Sequence, residues 1–61
     1  MPKLTNLEKE RMKDCAFNID DKTQAIKYEL FKEDSYKGYI LEKAQSILND
    51  IKVIINICKG E

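Results

Sequence analysis

The sequence has no histidine and no tryptophan, one proline, two glycines and two cysteines among 61 residues. Without histidine there is no Ser–His–Asp set, no Cys–His pair and no imidazole acid–base group. Two glycines cannot make a glycine-rich phosphate loop. Cys15 and Cys58 permit one intramolecular bridge at most, which is no disulfide scaffold, and without histidine they are too few for structural zinc. No apolar run exceeds three residues, so no membrane-spanning segment is expected. Eleven basic and eleven acidic side chains cancel, and neither half of the chain is a basic arm or an acidic tail. That balance gives no support to a nucleic-acid or anionic-membrane surface. The expectation is a non-enzymatic protein with no cofactor and no metal, without a membrane partner. With no secretory-type segment in view, it is expected to be cytoplasmic.

What is present is a helical period. From Ser35 to Lys59 the apolar residues Ile40, Ala44, Ile47, Ile51, Ile54 and Cys58 are spaced 4, 3, 4, 3, 4. Leu41, Leu48 and Ile55 follow Ile40, Ile47 and Ile54 by one place and widen the stripe. Glu42, Gln45, Asn49, Lys52, Asn56 and Lys59 form a complementary polar stripe. Two such stripes define an amphipathic helix, predicted at about 36–59, with Asp34 or Ser35 as its N-cap and Gly60 as its C-cap signal. The β-branched run Ile51–Ile57 is no strand, because a strand would put Lys52 and Asn56 on the same face as Ile54.

The first half is less decisive. Met1–Leu4 reads as a lead-in. Thr5-Asn6-Leu7-Glu8 reads as a capping box, which starts a helix at Thr5. Met12, Ala16, Ile19, Thr23, Ile26 and Leu30 run 4, 3, 4, 3, 4, which carries a single helix over about 5–33. Asn18-Ile19-Asp20-Asp21 is the weak link, since Asn and Asp are poor helix formers. Two alternatives stay open. The helix kinks or splits there, with Asp21 and Gln24 as a loose capping box, or residues around Cys15–Leu30 form a β-hairpin on the alternation Cys15, Phe17, Ile19 and Ile26, Tyr28, Leu30. The turn is predicted at about 34–37.

The fold class expected is all-α: one domain over 1–61, an antiparallel helical hairpin of two long helices. A chain of this size seldom buries enough apolar surface alone, and neither a disulfide scaffold nor structural zinc is expected here. Twelve of the twenty residues from Tyr39 to Cys58 are apolar, and Val53 and Ile57 fall outside the main stripe. Burying six Ile/Leu side chains is worth roughly 10–18 kcal/mol before entropy. Dimerisation into a four-helix bundle is therefore expected, through Ile40, Leu41, Ala44, Ile47, Leu48, Ile51, Ile54, Ile55 and Cys58.

Other side chains are candidates for contact with a target. Tyr36 and Tyr39, with Lys37 between them, sit beside the turn as a candidate partner-binding tip. Asn6, Lys9, Arg11 and Lys13 on the first helix are the candidate nucleic-acid contacts, although Glu8, Glu10 and Asp14 interleave with them and pairs such as Glu10–Lys13 neutralise the face. Asp20-Asp21 and Glu33-Asp34 have no calcium-loop spacing and read as solvated surface. Cys15 beside Met12 and Ala16, and Cys58 on the stripe, read as small hydrophobes.

In length and plan the chain is similar to helical-hairpin proteins that dimerise into four-helix bundles, including the RNA-binding type of plasmid copy control. It is also similar in size to small two-helix phosphatases acting on bacterial response regulators. Their Ser followed by Glu-Leu-Asp is replaced here by Ser46-Ile47-Leu48-Asn49-Asp50. The expected function is a protein–protein interaction module, a regulator, inhibitor or scaffold working as a homo-oligomeric helical bundle on a protein target. The alternative is a nucleic-acid-binding hairpin dimer in plasmid or phage regulation.

Overall fold

The structure is a computed structural model that describes residues 3–60; Met1 and Pro2 of the lead-in, and Glu61, lie outside the described residues. Two helices pack against each other: α1, Asn6–Leu30, and α2, Lys37–Lys59. The start of α1 is the capping box. The Glu8 amide donates to Thr5 Oγ1 at 3.1 Å, and the Thr5 amide donates to Glu8 Oε1 at 2.9 Å. The helix runs unbroken through Asn18–Asp21, so the split-helix and β-hairpin alternatives fall away. Poor propensity there is outweighed by packing, because Ile19 and Lys22 both turn toward α2 and are half-buried.

α1 ends three residues before the predicted Glu33, with Phe31 as its C-cap. The turn accordingly covers Phe31–Tyr36 instead of 34–37, and the N-cap of α2 is Tyr36 rather than Asp34 or Ser35. The Ser35 hydroxyl donates backward, to the Glu29 carbonyl at 2.7 Å, and is therefore not available to cap α2. α2 ends as expected. Gly60 adopts φ +48°, and its amide donates to the Asn56 carbonyl at 3.1 Å.

The seam between the helices is regular. On α1 it is formed by Glu8, Met12, Cys15, Ile19, Lys22, Ile26 and Glu29, spaced 4, 3, 4, 3, 4, 3, with Ala25 beside them. On α2 the half-buried residues are Ile40, Lys43, Ile47, Asp50, Ile54 and Ile57, spaced 3, 4, 3, 4, 3, with Ser46 and Val53 beside them. Val53 and Ile57 thus belong to the packed side of α2 and not outside it. Two positions in the middle of this seam are charged. Lys22 Nζ lies 2.6 Å from Asp50 Oδ2, with both side chains about three-quarters or more covered.

Among the described residues no apolar side chain is buried; the one buried residue is Glu29. The molecule is a rod of 47 × 16 × 15 Å with a radius of gyration of 14.4 Å. A compact domain of this length has about 10.5 Å.

Candidate functional site

The two stripes read from the sequence lie on the same side of the hairpin. On each helix a stripe alternates between residues turned into the seam and residues one step outside it. Met12, Ile19 and Ile26 face α2 while Ala16, Thr23 and Leu30 lie open; Ile40, Ile47 and Ile54 face α1 while Ala44, Ile51 and Cys58 lie open. In an antiparallel pair, the step outward carries both helices to the same side. Of two shallow apolar grooves, the one that joins the helices agrees with this, and the second lies on the α1 side alone. One joins Met12 and Ala16 of α1 to Ile54 of α2, next to Leu4. The other runs over Thr23, Ile26, Leu30 and Phe31.

Leu41, Leu48 and Ile55 extend this side further round α2. They are 57%, 49% and 44% exposed, and Ile51 is 38%. Together with Ala44 and Cys58 they make an open row at 41, 44, 48, 51, 55 and 58, itself a heptad pattern of 3, 4, 3, 4, 3. Of the nine residues expected to build an oligomer interface, three are thus shared with the hairpin seam and six lie in the open. On the opposite side a groove is lined by polar and apolar residues together, Glu8, Arg11 and Asn56 with Val53 and Ile57.

The remaining candidates separate. Tyr36 and Tyr39 are exposed at the turn end, with Lys43 Nζ 5.3 Å above the Tyr39 ring, a cation–π pair that orients the ring along α2. Lys37 is exposed between them. Asn6, Lys9, Arg11 and Lys13 are all exposed, but they do not converge. Lys9 and Lys13 border the apolar side, and Arg11 lines the polar groove opposite. Lys13 lies 3.5 Å from Glu10, the neutralising pair expected from the spacing. Cys15 and Cys58 are free thiols, Cys15 half-buried in the seam and Cys58 exposed on the open row.

Sequence reasoning missed Glu29. It is 4% exposed, its Oε2 accepts the Tyr36 amide at 2.9 Å, and its Oε1 lies 3.2 Å from Lys32 Nζ. α2 has no side-chain cap of its own and no acidic residue in its first turn. Glu29 supplies both from the end of α1. The Tyr36 amide, and then Lys32, hold its carboxyl below the usual carboxylate range against the opposing effect of burial. No signal in the local sequence marks this role, since the pairing spans the turn. The Lys22–Asp50 pair did leave a signal: both residues fall on the seam period, with opposite charges.

Among the described residues no cluster of three or more metal-ligating side chains occurs, and no helix is long and apolar enough to cross a membrane. Comparison with protein-family models, with curated proteins and with solved structures finds no match.

Proposed function

We propose that the protein is a non-enzymatic interaction module that works as a homodimeric four-helix bundle, regulating, inhibiting or scaffolding a protein target. The observation that carries this is the open heptad row on α2 beside the open face of α1. Its two-helix apolar side is the half-core of a bundle. Area supports the same reading. A compact monomer of 7.1 kDa exposes about 4,100 Å². This chain exposes 5218 Å². The surplus, about 1,100 Å², exceeds the area that a standard interface removes from each partner, about 800 Å². With that side covered, the Tyr36–Lys37–Tyr39 tip remains free at the turn end for a target.

The nucleic-acid reading draws less support, because Arg11 lines a different groove from Lys9 and Lys13 and Lys13 is paired to Glu10. Light scattering on a sizing column tests the proposal. The expected result is a species of twice the 7.1 kDa chain mass at micromolar concentration. A monomer up to high micromolar concentration overturns it.

A further inference from the structure

Charge cancels along the chain but not around the hairpin. One step beyond the open apolar rows, each helix carries a rim. On α1 the rim is Lys13, Asp20 and Lys27, each three residues before an open position, Ala16, Thr23 or Leu30. On α2 it is Gln45, Lys52 and Lys59, each four residues after Leu41, Leu48 or Ile55. All six are exposed. Their charges sum to +1 on α1 and +2 on α2, in a chain whose eleven basic and eleven acidic side chains cancel. The grooves carry the same sign. Among the described residues, the charged side chains that line the two apolar grooves are Lys9, Lys13 and Lys27. Glu10, Asp14, Asp21 and Glu42 lie further round the helices, away from the apolar side.

These rims occupy the flanking positions of a heptad interface, where opposite charges select a partner and like charges reject one. A second copy brings the same two sums, so positive rim meets positive rim in whichever direction the copies pair. A helix with apolar residues at heptad spacing and Asp or Glu on both flanks brings the opposite sign to the same rows. We infer that the target of this side is an acidic amphipathic helix of another protein, which displaces the second copy. This goes beyond the dimer proposed above, which is then the form held without a target. A helix matches this side better than an anionic bilayer does. The apolar rows run at heptad spacing on two helices, with a groove joining them at Met12, Ala16 and Ile54, and such a trough seats a third helix.

Two designed peptides of the length of α2 test this, both with Leu at the heptad core positions, one flanked by Glu and the other by Lys. Each is labelled and titrated with the full chain by fluorescence anisotropy at low salt. The Glu peptide should bind about tenfold more tightly than the Lys peptide, the sum of several exposed ion pairs, and raised salt should remove the difference. Equal binding of the two, or binding of neither, overturns the inference. So does a chain that floats with phosphatidylglycerol vesicles and ignores the Glu peptide, which would assign the side to a membrane. Lys27→Glu with Lys52→Glu, both at exposed positions, brings the summed rim charge from +3 to −1. That variant should lose the preference for the Glu peptide and dimerise more tightly than the unmodified chain by sedimentation equilibrium. A retained preference, or a dimer no tighter than before, overturns the role of the rim. The mass of the unmodified chain alone keeps the two proposals apart. A monomer that binds the Glu peptide removes the dimer and leaves the acidic target; a dimer that binds neither peptide does the reverse.

Discussion

Glu29 is the best-protected residue of the hairpin, and its position explains why. The first amides of a helix point at nothing within that helix and favour a negative charge beside them. Tyr36 brings no capping side chain to α2, so the carboxylate of Glu29 occupies that place across the turn. The Ser35 hydroxyl in turn holds the Glu29 carbonyl, and the two contacts lock both ends of the turn to one residue. Because the folded-state pKa is lowered, the stabilisation is fully present above the unfolded carboxylate value, near 4.3, and is lost as pH falls through the lower folded value. Glu29→Gln keeps the size and removes the charge. The variant is expected to melt below the unmodified protein at pH 7, and the gap should close as pH falls below the unfolded carboxylate value. Thermal melts by circular dichroism across that range check it; a gap that stays constant with pH contradicts the electrostatic role.

At the scale of the element, the helix ends are governed by backbone conformation, and the two glycines show opposite cases. Gly38 lies in the first turn of α2 with open space around the position of a Cβ. Gly38→Ala removes unfolded-state freedom without a clash and should gain about 0.5 kcal/mol. Gly60 holds φ +48°, and a Cβ there would meet the Ile57 carbonyl oxygen at 3.3 Å. Gly60→Ala should lose about 1 kcal/mol. Urea titrations at one fixed protein concentration give both signs. The ends that obey such local rules were legible in advance: Thr5 with Glu8 at the start of α1, Gly60 at the close of α2, and the two apolar stripes between them. The end of α1 was not, because Phe31, Lys32 and Glu33 carry no stop signal. There the Phe31 and Lys32 amides donate to the Tyr28 and Glu29 carbonyls, and the Ser35 hydroxyl reaches back six residues to the Glu29 carbonyl. The stripes had a second meaning that spacing alone did not reveal. Half of each stripe packs within the hairpin, and only the other half is left for a partner, while Val53 and Ile57 join the packed side from what looked like the flank.

The whole molecule is a two-helix rod in which no described apolar side chain is buried, and that has a consequence for its stability. A hairpin with a single half-covered seam is marginal in water, since the entropy of ordering each residue is set against little apolar burial. If the open side is covered by a second copy, folding and association are one equilibrium, and protein concentration enters the melting temperature. Each tenfold dilution changes the free energy by about 1.4 kcal/mol. With an unfolding entropy near 2.1 cal/mol/K per residue across both chains, the midpoint should fall by about 5 °C per tenfold dilution. Leu48, 49% exposed in the single hairpin and central in the open row, is the position to break the link. Leu48→Asp costs the hairpin little, because the side chain already meets water, but it sets a charge at the centre of the interface, where it has no partner. The variant should therefore melt lower than the unmodified protein at 100 µM, show no dependence on concentration, and run as a monomer. A midpoint in the unmodified protein that stays fixed from 1 to 100 µM would mean that the hairpin folds alone, and that its apolar side is kept for a target other than itself.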